Sequence, residues 1–293
     1  MDFIQSNQTT SGKAVNLFYE ETGSGQPVIF IHGWPSSHEM WEYQITEIAS
    51  KGYRCIAYDR RGFGKSDKPF DGYDYDSLAA DLKSVIDQLD LNDVILVGFS
   101  MGGGEVARYL SRYGSDRVSK AVLISAVTPY LLKTDDNPDG VPAEVFDQMA
   151  EKIKDDRPAF LEDFGKTFFG VGLLSKPVSQ PLLNWANLLT LHGSLTATLK
   201  CMEAFAKTDF RNDMKSISVP TLIIHGDSDK IVPIKPAGQQ AAEMMPEARF
   251  IVYEGAPHGL FITDKEQLNA DLIEFFGQEV VRSQPKIADS ERF

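Results

Sequence analysis

The stretch Asp93-Val94-Ile95-Leu96-Val97-Gly98-Phe99-Ser100-Met101-Gly102-Gly103-Gly104 decides how the rest of this chain is read. Val94 to Val97 have the length and composition of a buried strand. The run ends in a serine with glycine two places to either side, a strand-to-helix turn that lifts the serine hydroxyl above a sheet. The turn is tight and strained, so the flanking positions must lack bulk. Ser100 is therefore the candidate nucleophile.

A serine hydroxyl attacks poorly until a base removes its proton, and a neutral imidazole suits that task. The chain has five histidines, His32, His38, His192, His225 and His258, of which three follow Ser100. His258 sits in the loop Glu254-Gly255-Ala256-Pro257-His258-Gly259 after the alternating strand Arg249-Phe250-Ile251-Val252-Tyr253, and it is assigned as the base. His225 ends the apolar run Thr221-Leu222-Ile223-Ile224 and reads as structural; His192 lies in a helical stretch with no acid nearby. The orienting acid is expected from a loop between nucleophile and base, and His225-Gly226-Asp227-Ser228-Asp229-Lys230 offers two candidates. Asp229 is assigned as the acid and Asp227 as a loop-capping residue that bonds backbone N–H groups. Ser125-Ala126-Val127-Thr128-Pro129, after the preceding strand, carries no carboxylate.

A tetrahedral intermediate needs preorganised N–H donors. Met101 supplies one by position, directly after the nucleophile. The second is expected from the loop after Val28-Ile29-Phe30-Ile31, where Pro35 has no N–H and Trp34 does, with a backbone biased to extended by the following proline. His32 then reads as a residue that orders this loop, and Asp59, Arg60 and Arg61 as a structural network.

Four segments together, His32-Gly33-Trp34-Pro35, Tyr58-Asp59-Arg60-Arg61-Gly62-Phe63-Gly64-Lys65-Ser66, Gly98-Phe99-Ser100-Met101-Gly102 and Gly255-Ala256-Pro257-His258-Gly259, resemble the α/β-hydrolase superfamily. More narrowly they are similar to its cofactor-free chloroperoxidase, arylesterase and perhydrolase group, from about the first strand to about Gly277. The resemblance implies Ser100, Asp229 and His258 as catalytic residues and Trp34 with Met101 as the oxyanion hole. It implies hydrolysis of small carboxylic esters through an acyl-enzyme, with hydrogen peroxide able to replace water and the resulting peracid able to oxidise halide. No cofactor or metal is implied, and a homo-oligomer is. Val171 to Leu199 carry no family signature, so substrate preference is not legible there. A lactamase or amidase with the same triad, or a ligand-binding protein without turnover, are the alternatives. A haloalkane dehalogenase would need a carboxylate where this chain has Ser100.

Apolar runs alternate with amphipathic stretches, as in strand-helix-strand units around a mostly parallel sheet. After an opening hairpin near Ala14 to Glu21, strands are expected at Val28 to Ile31, Arg54 to Tyr58, Asp93 to Val97, Lys120 to Ser125, Thr221 to Ile224 and Arg249 to Tyr253. Helical spacing appears in Trp41, Ile45 and Ile48, in Leu78, Leu82, Val85 and Leu89, and in Leu268, Leu272 and Phe275; Thr263-Asp264-Lys265-Glu266 has the pattern of a capping box. Each proposed reactive group thus falls just past the carboxyl end of a strand, where open α/β sheets bind ligands. Between Val127 and Ser216 the alternation stops and helical faces take over, which predicts a helical cap after the sixth strand. The expected division is a core in residues 1–126, the cap in 127–216, the rest of the core in 217–281 and a mobile tail in 282–293. Phe99, Phe168 and Trp185 are expected to contact substrate, with Phe164, Phe169 and Leu188 as further pocket candidates.

At 293 residues the chain is long enough to bury a large core. Its formal charge of −13 argues against nucleic acid or an anionic membrane as default partner. Cys55 and Cys201 form no spaced metal or redox pair. No apolar run approaches the roughly 18 residues of a membrane span and the N-terminus lacks a signal pattern, so the cytoplasm is the expected location. Two nucleotide motifs fail on context. Gly64-Lys65-Ser66 has Asp59 where a P-loop needs glycine, and Gly102 to Ala107 lies inside a helix entrance with no ribose-binding acid after the next strand.

Overall fold

The structure is a computed structural model and describes residues 2–8, 10 and 12–278; the expected tail at 282–293 lies outside the described residues. Its frame is an eight-stranded sheet of β1 (Phe3–Gln5), β2 (Asn16–Gly23), β3 (Gln26–Ile31), β4 (Tyr53–Tyr58), β5 (Val94–Phe99), β6 (Val118–Ile124), β7 (Thr221–Gly226) and β8 (Arg249–Tyr253). The strand order is β1-β2-β4-β3-β5-β6-β7-β8. From β4 to β8 every neighbouring pair is parallel, and only β2 runs antiparallel, against β1 and β4. The expected opening hairpin within Ala14–Glu21 is therefore a single strand, whose partners are Phe3–Gln5 and β4.

The apolar runs become central strands because both faces of a parallel sheet are covered. All residues of β5 are buried. Alternate side chains go to opposite faces. Ile29, Leu96, Leu123 and Ile223 pack on one side with Leu78, Leu82 and Val106, from α2 (Tyr75–Gln88) and α3 (Met101–Tyr113). Val28, Val97, Val122 and Leu222 pack on the other with Ile48 of α1 (Glu42–Ser50) and Leu268, Leu272 and Phe275 of α10 (Lys265–Gly277). Lys120, a charge within a buried strand, is satisfied by the far end of α10. Its Nζ donates to the carbonyls of Phe275, Phe276 and Gln278 at 3.0, 2.6 and 2.5 Å, groups that a helix end leaves without intrahelical donors.

Between β6 and β7 lie four helices: α4 (Ala143–Phe168), α5 (Gln180–Leu191), α6 (Leu195–Lys207) and α7 (Arg211–Met214). Two further short helices, α8 (Gln240–Met244) and α9 (Leu260–Thr263), complete the core. α4 is broken at Asp156 (φ −145°, ψ 86°), because Pro158 cannot donate a backbone bond. Asp156 Oδ1 accepts the Ala159 N–H at 3.0 Å and so caps the second half. Ser179 and Ser194 cap α5 and α6 in the same way. The capping box at Thr263–Glu266 does not form. α9 ends at Thr263, Asp264 makes no side-chain cap to α10, and the Thr263 hydroxyl donates to Asp264 instead. Among the described residues no helix is long and apolar enough to cross a membrane.

Candidate active site

Ser100 stands between β5 and α3 at φ 53°, ψ −116°, in a region that a residue with a Cβ adopts only under strain. Its neighbours two places away allow this. A Cβ on Gly98 would come within 2.5 Å of the Gly102 carbonyl oxygen, and one on Gly102 within 2.5 Å of the Ile31 carbonyl oxygen. No side chain fits either gap, which is the physical content of the spaced glycines.

The parallel strands bring distant loops to this turn. His258 Nε2 lies 3.0 Å from Ser100 Oγ, and His258 Nδ1 lies 2.6 Å from Asp229 Oδ2. Ser100, Asp229 and His258 are nearly fully buried, at 6%, 6% and 1% exposure. The other oxygen of Asp229 accepts the N–H groups of Ile231 and Val232, each at 2.8 Å, so the carboxylate cannot rotate away from the imidazole without losing both. Burial alone would raise the Asp229 carboxyl. The charge of His258 and the hydrogen bond of His225, whose Nε2 is 3.5 Å from Oδ2, outweigh it and hold the group well below the usual carboxylate range. Asp229 is thus ionised. Asp227 is exposed, and its Oδ1 accepts the Gly255 N–H at 2.7 Å, tying its loop to the one that carries His258. His225 is buried at the end of β7 with Nε2 on the Val232 carbonyl at 2.8 Å, and His192 is the exposed residue ending α5.

Met101 is the first residue of α3, where a helix leaves its N–H without an intrahelical acceptor. Among the described residues neither the Met101 nor the Trp34 backbone N–H donates to a protein acceptor. The Trp34 side chain is committed elsewhere. Its Nε1 donates to the Thr198 carbonyl of α6 at 2.9 Å, and its ring packs on Phe164 and Phe205 at 5.4 and 5.5 Å. One residue therefore keeps its backbone N–H free of protein acceptors while its side chain pins the loop to the helices above.

Beneath this loop is a buried network. The Arg60 N–H donates to His32 Nε2 at 2.9 Å, His32 Nδ1 meets the Gly33 carbonyl at 2.9 Å, and Arg60 Nη2 donates to the His32 carbonyl at 2.6 Å. Arg60 Nε also donates to Glu105, which accepts from the Tyr58 hydroxyl at 2.8 Å. Protonating His32 would set a proton against the Arg60 N–H. Burial, and then the Arg60 charge, pull its pKa down to about 3 from an ordinary 6.5. Between those values the unfolded chain binds a proton that the folded one refuses, so stability is fully present above pH 6.5 and declines as pH falls towards 3. Between pH 6.5 and 5, before most carboxylates titrate, His32 is expected to contribute a slope approaching about 1.4 kcal/mol per pH unit. Urea titrations at several pH values should show that slope shrinking by about that amount in His32→Asn, and an unchanged slope would contradict it.

Ser100 opens into a cleft of about 540 Å³ under the helices between β6 and β7. Its walls are Val127, Phe146, Met149, Phe160, Phe205 and Ile231, among others. Of the aromatic residues expected at the substrate, Phe164 lines this cleft, while Phe168 and Trp185 line a small adjoining chamber that shares Trp34 and Phe164 with it. Phe168 also stands edge-on to the His258 ring at 4.9 Å. Phe99 is fully buried and lines neither space; it packs behind His258 at 4.8 Å. Phe169 is buried beside Phe168 and lines only the chamber, and Leu188 points to solvent at 53% exposure. In the sequence Val145, Phe146 and Met149 carry no signal beyond helical spacing, which does not tell a cleft wall from a packing surface.

A family model described as the alpha/beta hydrolase fold matches residues 26–265. The chain is 42% identical to a non-heme chloroperoxidase of Kitasatospora aureofaciens over 92% of its own length and 98% of that protein's. It is 41% identical to a bifunctional esterase/perhydrolase of Acinetobacter calcoaceticus, over 91% and 98%. Among solved structures, the bromoperoxidase from Bacillus anthracis superimposes with a TM-score of 0.90 at 43% identity, covering 94% of this chain and 99% of that one.

Proposed function

This chain belongs to the α/β-hydrolase fold family, in its group of non-haem chloroperoxidases and esterases, and from that membership we propose a mechanism carried by Ser100, His258 and Asp229. The enzyme is an esterase with perhydrolase and haloperoxidase activity. The observation that carries the mechanism is the continuous hydrogen-bonded line from Asp229 through His258 to Ser100, at 2.6 and 3.0 Å, beside two unengaged backbone amides.

Ser100 Oγ attacks the ester carbonyl carbon while His258 Nε2 takes its proton. Asp229 holds the tautomer with the proton on Nδ1 and stabilises the imidazolium without accepting that proton. The carbonyl oxygen gains negative charge in reach of the Trp34 and Met101 N–H groups, each such donor being worth about 3 to 4 kcal/mol of transition-state stabilisation. His258 then protonates the leaving alcohol, and the acyl group remains on Ser100. Water, deprotonated by His258, displaces it as the acid. Hydrogen peroxide does so as a peracid, which transfers its terminal OH oxygen to bromide or chloride, giving hypohalous acid and the carboxylate. Support for the small-ester class comes from the apolar cleft and from relatives named as esterases. A cytoplasmic location belongs to the same proposal, as does a homo-oligomeric state, the latter on the strength of family likeness.

Aryl acetates are expected to be hydrolysed, and adding peroxide with bromide should halogenate a phenol dye only while an acyl donor is present. Halogenation that persists without any acyl donor would overturn the acyl-enzyme route.

A further inference from the structure

The formal charge of the chain is −13, yet the mouth of the Ser100 cleft is cationic. Its lining includes two lysines, Lys152 from α4 and Lys230 from the loop after β7, against one carboxylate, Asp163. Asp163 already holds Lys166 at 2.9 Å. Among the described residues neither the Lys152 nor the Lys230 ammonium group makes a hydrogen bond or an ion pair, although the field of Lys152 reaches Asp163. Both lysines are exposed, whereas Ser100 is buried. The backbone that carries Lys230 is fixed, since Asp229 Oδ1 accepts the N–H groups of Ile231 and Val232. Free ammonium groups at the rim of an apolar trough attract a ligand that has an apolar body and a remote negative charge, because low-dielectric walls focus their field into the opening.

Resting on the esterase reading above, we propose that the preferred substrates are esters bearing a carboxylate or similar anionic group away from the scissile bond, recognised by Lys152 and Lys230. The preference acts on binding, so it appears in KM more than in kcat.

The test compares two pairs of probes at low ionic strength: mono(4-nitrophenyl) glutarate with its methyl-capped diester, and 4-acetoxybenzoate with methyl 4-acetoxybenzoate. These place the anion on the acyl side and on the leaving-group side. In at least one pair the anionic member should have a kcat/KM roughly five- to tenfold higher, as expected for one or two solvent-exposed charge pairs. The ratio should fall towards one in about 0.5 M salt. Lys230→Gln and Lys152→Gln should each lower it, Lys230→Glu should invert it, Lys230→Arg should keep it and Asp163→Asn should raise it. A variant that only disturbs Asp229 would slow both members of a pair equally and leave the ratio intact. A wild-type ratio at or below one in both pairs, or a ratio indifferent to Lys230→Glu and Lys152→Glu combined, overturns the proposal while sparing the esterase reading. Failure to cleave any of the four probes would overturn both.

Discussion

Ser100→Ala is expected to lower kcat/KM for an aryl acetate by roughly five to six orders of magnitude, as removal of an activated nucleophile does where base and acid remain but have nothing to deprotonate. The fold should be almost untouched. The hydroxyl makes one side-chain contact, to His258 Nε2, and the glycines that shape the turn stay in place. The urea midpoint should therefore shift by no more than about 1 kcal/mol equivalent. Initial rates, together with the loss of covalent labelling by an organophosphonate seen by intact-mass measurement, check the two halves. A variant within tenfold of the parent enzyme would remove Ser100 from the mechanism.

Asp229→Asn should cost about four orders of magnitude in kcat, and the reason lies in the two amides behind the carboxylate. The Ile231 and Val232 N–H groups demand an oxygen at the Oδ1 position, so the new NH2 must face His258 Nδ1. An NH2 donates where a carboxylate accepted. His258 must then carry its proton on Nε2, the atom 3.0 Å from Ser100 Oγ that has to receive one. Asp227→Asn keeps an oxygen for the Gly255 N–H and should change kcat only a fewfold. Steady-state kinetics on the two variants decide the assignment, and losses of equal size would show that the orienting acid has been misidentified.

Much of this arrangement was legible before any coordinates. The strands are visible as apolar runs because both faces of the sheet are covered, and the strained turn that carries the proposed nucleophile Ser100 because Gly98 and Gly102 answer a purely local steric demand. His258 and Asp229 follow from chain order and from their places just after strands. Less visible were the edge of the sheet, where β2 pairs with Phe3–Gln5 and β4 rather than folding back on itself, and the start of α10, where Asp264 bonds Thr263 instead of capping the helix.

What the amino-acid order determined alone is whatever a few consecutive residues can specify: the elements, the strained turn, and the loops that carry reactive side chains. Tertiary packing decided which aromatic residues face the cleft, that Phe99 backs His258 and Leu188 meets water, and that Lys152 and Lys230 border one opening. Helical or strand periodicity states that a side chain lies on a face. The partner of that face comes from segments many residues away, as Trp34 finds Thr198 across 164 positions.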